Sequence, residues 1–193
     1  MTMDIVRSEL ILGGQKSGKS RRAELLAPIW LDSSSRHRAV LIATARPWDD
    51  EMCQRIVRHQ TDRAERVPGM TTVGEPLALA EAIGQASTPD PLVVVDCLTL
   101  WLTNLLTPAS AEANRPVANL QSVQTAPFLI AIANAPGPVI LVGNEIGLGV
   151  IPMGREVRAF VDALRRLNQD VAGACQRVTL MAAGLPLTLK DTL

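Results

Sequence analysis

At 193 residues, with 47% hydrophobic and 20% charged residues, the chain has the size and composition of one compact domain spanning 1–193, and wholesale disorder is excluded. Lys plus Arg and Asp plus Glu both number 19, so no global positive field draws in a nucleic acid or an anionic membrane, and any anion must be caught locally. Cys53, Cys97 and Cys175 lie far apart without metal-type spacing, which excludes a disulfide framework and suits a reduced intracellular chain.

In chain order, the N-terminal residues carry Asp4, Arg7 and Glu9 where a signal peptide needs an unbroken apolar stretch. Runs such as Pro138–Val142 are strand-sized, far short of the roughly 20 residues that cross a bilayer. The expectation is a cytoplasmic protein with no membrane insertion and no nucleic-acid partner.

Glu9–Leu12 runs into Gly13-Gly14, and good helix formers occupy Ser20–Leu26, a strand, glycine loop and helix in succession. Ala39–Ala43 is a second strand, closed by the turn-prone Arg46-Pro47, and Asp49 or Asp50 caps a helix running through Glu51 to His59. Periodicity is lost over residues 66–74, read as a connector, before Glu75-Pro76 opens a helical stretch that ends ahead of Pro89. Leu92–Val95 is a strand closed by Asp96, and a turn and helix occupy Cys97–Leu106. Residues 107–125, rich in Ala, Ser, Asn, Gln and Pro, show no period and read as a mobile surface segment. Val139–Val142 is the next strand. Val157, Phe160, Val161, Leu164, Leu167 and Val171 then keep helical spacing, and Arg177–Met181 is the last strand. Apolar strands alternating with helices predict an α/β three-layer fold of the P-loop NTPase, RecA-like type, with a mainly parallel central sheet.

Gly13, Gly14, Gln15, Lys16, Ser17, Gly18, Lys19 and Ser20 match in full the pattern Gly, four residues, Gly-Lys-Ser. Glycines let the backbone curl until successive amides and the helix N-terminus face phosphate oxygens; Lys19 neutralises the outer phosphates and Ser20 offers a hydroxyl to Mg²⁺. Lys19 is thus both a binding and a catalytic candidate, with GTP or ATP as the nucleotide. Asp96, at the end of an apolar strand, fits the second acidic position of P-loop enzymes, which holds Mg²⁺ directly or through water.

Glu51, Arg55 and His59 recur every fourth residue, with Arg63 continuing the row, while Met52 and Ile56 are assigned to another face. Alone, such a row reads as a solvated, salt-bridged face. A neutral histidine ring is also a competent nucleophile toward phosphorus, which makes His59 a candidate. His37 reads as simply exposed, and Trp30, Trp48 and Trp101 as packing groups. The stretch from Asn144 to Pro152 is either a site loop at the Asp96 edge of the sheet or an ordinary strand-to-helix turn.

Taken together, GGQKSGKSRRAE (13–24), IATARPWDDEMCQRIVRH (42–59), VVDCLTLWLTNLL (94–106) and NEIGLGVIP with the later RAF and NQ (144–169) resemble the bifunctional adenosylcobinamide kinase/adenosylcobinamide-phosphate guanylyltransferase family of cobalamin biosynthesis. The resemblance implies two reactions. ATP or GTP phosphorylates the hydroxyl of adenosylcobinamide; GTP then gives GMP to an enzyme histidine, and the adenosylcobinamide phosphate takes it up to form adenosylcobinamide-GDP. By motif the histidine falls on His59. The family's nucleotide-binding positions fall on Thr44, Ala45 and Arg46, on Gln60, Thr61, Asp62 and Arg63, and on Asp96. The resemblance also implies a small homo-oligomeric ring, a trimer. The chain departs from the pattern by a few extra residues between Arg63 and Glu75; a family acidic position falls on Gly74 with Glu75 beside it, and an expected aromatic is missing. These departures bear on the nucleotide role of Glu75. A kinase without the guanylyltransferase half and a GTP-dependent switch are the alternatives.

Overall fold

The computed structural model describes residues 4–107 and 117–192. In chain order its elements are β1 (Ser8–Gly13), α1 (Lys19–Ser33), β2 (Arg38–Ala43), α2 (Asp50–Arg66), β3 (Thr71–Gly74), α3 (Leu79–Ala86), β4 (Pro91–Asp96), α4 (Leu98–Leu106), α5 (Val117–Asn134), β5 (Val139–Asn144), α6 (Arg155–Ala174), β6 (Arg177–Ala182) and β7 (Leu185–Asp191). The strands form one 7-stranded sheet in the order β3-β2-β4-β5-β1-β6-β7. Pairing is parallel from β1 to β6, and β7 alone runs antiparallel, against β6. This is the three-layer α/β sandwich that the alternating sequence predicts.

The central strands are mostly apolar because helices cover both faces of the sheet; the buried Glu9 of β1 is an exception, accepting from the Thr179 hydroxyl at 2.7 Å. Their alternation sorts the core in two. Leu10, Leu12, Val93, Val95 and Leu141 point to one layer with Trp101, Phe128, Leu164 and Leu167; Ile11, Leu41, Val94 and Ile140 point to the other, with Ala23, Leu26 and Ala27 of α1. The first layer is the thicker. Trp101 packs on Phe128 with centroids 4.9 Å apart, and its indole donates to the Leu77 carbonyl at 2.9 Å, so this packing group also ties α4 to the entry of α3.

Three readings of the sequence are corrected. The connector at 66–74 contains β3, whose residues are all exposed at the sheet edge and therefore carry no apolar run. Beyond the last predicted strand lies β7, an exposed edge hairpin partner of β6. Residues 117–125 of the segment read as mobile belong to α5, which contains Pro127 and packs against α3, α4 and α6; its exposed face carries Ala126, Pro127, Ile130 and Ala133, so no polar stripe marks the helix for a periodicity argument. The part of that segment at 108–116 lies outside the described residues.

Two aromatic assignments also change. His37 is half-buried, its ring stacked on Trp30 at 3.8 Å and 3°, so it is a packing partner rather than a free surface group. Trp48 is 51% exposed, with the Arg46 guanidinium 5.6 Å above its ring, and is no core residue. Among the described residues no helix is long and apolar enough to cross a membrane.

Candidate active site

The glycine loop joins β1 to α1, and its geometry follows from its residue types. A Cβ on Gly13 would collide with the Ser17 hydroxyl and lie 2.8 Å from the Met181 carbonyl, so only glycine lets the loop leave β1 this close to β6. Lys16 and Gly18 take left-handed backbone angles, φ 58° and 96°, and the Ser17 amide bonds the Gly14 carbonyl at 3.2 Å to close the turn. No side chain caps the N-terminus of α1. Its first amides, lying at the positive end of the helix dipole, suit a phosphate. Lys19 is 8% exposed and its ammonium donates to the Gly14 carbonyl at 2.9 Å, inside the concavity of the loop.

Parallel pairing brings other strand ends to this edge. Gly13 lies opposite Asn144 in register, Asp96 opposite Val142 on one side and Ala43 on the other. The result is a cleft of about 220 Å³ at the carboxyl ends of the strands, where open α/β sheets bind ligands. Lys19 and Ser20 of α1, Asp96 of β4, Asn144 of β5 and Ala45 after β2 form one wall; Met52, Ile56, His59, Gln60 and Arg63 of α2 form the other, with Gly74, Cys97 and Leu100 between.

The face of α2 turned to the cleft is therefore not the predicted one. Met52 and Ile56, assigned to a different face from His59, line the cleft with it, and Glu51 is exposed. The spacing 52, 56, 59, 63 is itself helical, and the four-residue polar row concealed it. Asp49 caps this helix, its carboxylate accepting from the Met52 amide at 2.7 Å.

Other sequence-derived candidates lie away from the cleft lining. Thr44 is fully buried: its hydroxyl donates to the Cys97 carbonyl at 2.8 Å and accepts from the Cys97 amide at 2.9 Å, while Asn104 donates to its carbonyl at 2.8 Å. It latches the end of β2 to the end of β4 and so holds Asp96 and Ala45 in place. Arg46 lies over Trp48, the Thr61 hydroxyl donates to the Val57 carbonyl at 3.1 Å, and Asp62 pairs with Arg66 at 3.3 Å. One carboxylate oxygen of Glu75 accepts from the amides of Leu77 and Ala78 at 2.9 and 2.8 Å, capping the approach to α3, while Gly74 faces the cleft. Beyond Asn144, the loop splits its roles: Glu145 accepts from the Gly147 amide at 2.7 Å, and Glu145, Gly147 and Leu148 line a second cavity against α6 and β7.

Cys97, in the cleft, has its thiol pKa pushed up to about 11, first by burial and then by the negative charge of Asp96. A thiol so placed stays protonated at neutral pH and is no nucleophile. Two residues inside the matching segments gain a role that sequence reasoning did not single out: Asn104, a polar residue in an apolar helix, and Glu24, a carboxylate 3% exposed on α1 that pairs with Arg63 and Arg66.

Comparison with known proteins identifies the family. The family model described as cobinamide kinase / cobinamide phosphate guanyltransferase matches residues 9–189. The bifunctional adenosylcobalamin biosynthesis protein CobP of Pseudomonas aeruginosa is 43% identical over 94% of this chain and 96% of its own length. The corresponding CobU protein of Escherichia coli is 34% identical over 94% and 98%. A solved structure from Pyrococcus horikoshii superposes with a TM-score of 0.51 at 11% identity, over 99% of this chain and 89% of that one, a likeness of fold alone. The chain thus belongs to the cobinamide kinase / cobinamide phosphate guanyltransferase family.

Proposed function

We propose that this single cleft serves both reactions of the family, with the phosphates of one nucleotide presented to two different attacking groups. In the kinase step, the amides from Gly13 to Gly18 and the Lys19 ammonium grip the β- and γ-phosphates of ATP or GTP. The cobinamide hydroxyl attacks the γ-phosphorus, its proton is lost, and the nucleoside diphosphate leaves. Such transfer is mostly positioning and charge neutralisation, which buried Lys19 supplies. In the guanylyl step, a neutral ring nitrogen of His59 attacks the α-phosphorus of GTP and pyrophosphate leaves. A phosphate oxygen of adenosylcobinamide phosphate then displaces the histidine, giving adenosylcobinamide-GDP and restoring the ring.

Ser20 and Asp96, both lining the cleft, are the oxygen ligands that suit Mg²⁺, which is held by one or two protein groups together with substrate phosphates. The ion supplies neutralisation of the phosphate charge as it develops. Of the remaining candidates, Ala45, Gln60 and Arg63 stand where they can contact the nucleotide, and Thr44 supports that wall from behind. This reading carries with it a cytoplasmic enzyme assembled as a homo-oligomer, a trimeric ring.

The observation that carries the reading is the shared cleft: Lys19, Ser20, Asp96 and His59, from three separate elements, line one space. Incubation with Mg²⁺ and GTP labelled at the α-phosphate tests it. Acid-labile label on the wild type and none on His59→Ala supports the histidine intermediate. No label on either, with GTP bound, rejects it and leaves a kinase.

A further inference from the structure

We propose that Glu24 is a positioning residue for guanylyl transfer, registering the helix that carries His59 against the helix that holds the phosphates; the inference rests on His59 being the nucleophile. Along α2 the side chains of Glu51, Cys53, Gln54, Val57 and Arg58 are exposed and those of Met52, Ile56 and His59 half-buried; among its described side chains, only that of Arg63 is buried. The ties that fix α2 are therefore at its C-terminal end: the ion pairs made there, and the buried Val67 that follows the helix. One oxygen of Glu24 accepts from Arg63 Nε at 3.4 Å and the other from Arg66 Nη1 at 2.7 Å, so both lone-pair edges of the carboxylate are committed to α2. Arg66 is held in turn by Asp62 at 3.3 Å.

The side chains of Glu24 and Arg63 are 4% and 8% exposed. Two charges this far from water are tolerable only while paired, so the joint has a steep and specific geometry. Its location matters. Glu24 is one helical turn beyond Ser20 on α1, and Arg63 one turn beyond His59 on α2; residues four apart share a helix face. A single carboxylate therefore links the face of α1 that opens on the phosphates to the face of α2 that presents the histidine. Asp96, by contrast, stands at the end of β4, and Lys19 and Ser20 open α1 directly after the glycine loop that leaves β1, so the sheet edge also holds these groups. Loss of Glu24 leaves the kinase groups where they are and lets His59 drift from the line of attack. Misplacement by about 1 Å costs on the order of 100-fold in rate.

The test uses Glu24→Gln, which keeps the shape, and Arg66→Ala, which breaks the shorter bond at a half-exposed side chain. For each, the single-turnover rate of GMP transfer from α-labelled GTP to the protein is compared with kcat and KM for phosphorylation of adenosylcobinamide by ATP. Glu24→Gln is expected to slow GMP transfer by about 10- to 100-fold with both kinase constants within about twofold, and Arg66→Ala to move the same ratio less. Equal losses in both halves, the mark of a merely structural role, overturn the proposal, as does an unchanged GMP-transfer rate. If Glu24→Gln does not fold, Arg66→Ala decides by the same ratio. Absence of label on the wild type instead rejects the His59 reading, and this inference with it.

Discussion

The glycine loop and α2 face each other across the same cleft, yet they are built on opposite principles. The loop is wedged between central strands: Gly13 has no room for a methyl group, Lys19 is buried, and β1 is buried along its whole length. The helix α2 is an arm, capped by Asp49, tethered by Arg63 and Arg66 to Glu24, and exposed over much of the surface between. Phosphoryl transfer needs charges held still, and the sheet edge supplies them. A covalent nucleophile must reach a different phosphorus in the same nucleotide, and a lightly packed helix is a suitable carrier. On the proposed reading, one cleft divides two chemistries between a wall built into the sheet edge and a tethered one.

The largest expected effect comes from the rigid wall. Lys19→Met is expected to lower both kinase turnover and GMP transfer by about 100- to 1,000-fold, since both halves grip the same phosphates, and steady-state and single-turnover assays on one preparation check it. A loss confined to one half would break the comparison. Next, the wedge itself can be probed: Gly13→Ala, forced against the Met181 carbonyl, is expected to lower stability by about 1–3 kcal/mol, read as a shift in the urea midpoint. Thr44→Val, which strips the buried latch to Cys97, is expected to cost a similar 1–3 kcal/mol.

On the arm, a comparable lesion should be local. Asp49→Ala removes the cap and is expected to cost about 1 kcal/mol. The loss should appear as faster amide exchange in α2 while β1 and β5 keep their protection. A drop in global stability without local change in α2 would argue against the tethered-arm view.

At neutral pH the smallest effect concerns the thiols. Burial raises Cys97 to about 11 and Cys175 to about 12, from 9.0. Above about pH 9 the unfolded chain gives up thiol protons that the folded chain keeps, so stability should fall as pH rises from there, with no contribution from these groups below it. At pH 8, a thiol reagent is expected to modify exposed Cys53 and spare the two buried cysteines, as peptide mapping would show.

Legibility in the sequence followed the same division. Strands at the centre of the sheet, such as β4 and β5, are apolar runs because both faces are covered, and their ends locate Asp96 and Asn144 directly. The glycine loop announces itself because phosphate binding constrains residue type at each step. Edge strands β3 and β7 escaped, having no buried face to imprint a pattern, and α5 escaped because its exposed face is mostly apolar, with Ala126, Pro127, Ile130 and Ala133. The polar row alone reads as a solvated face, and it is the family motif that picks out His59; of the row, His59 and Arg63 line the cleft, with Met52 and Ile56, which read as ordinary apolar residues. Glu24 closes the matching segment 13–24, yet its role left no signal, since a carboxylate in an early helical turn is unremarkable until its partners, 39 and 42 residues away, are folded against it.

The division of labour is tested most directly by supplying His59→Ala with adenosylcobinamide, ATP, GTP and Mg²⁺ and following products over time. Adenosylcobinamide phosphate is expected to accumulate at close to the wild-type rate, with no adenosylcobinamide-GDP formed. Formation of the GDP product by the variant, or loss of phosphorylation in a variant that remains folded, would contradict this division.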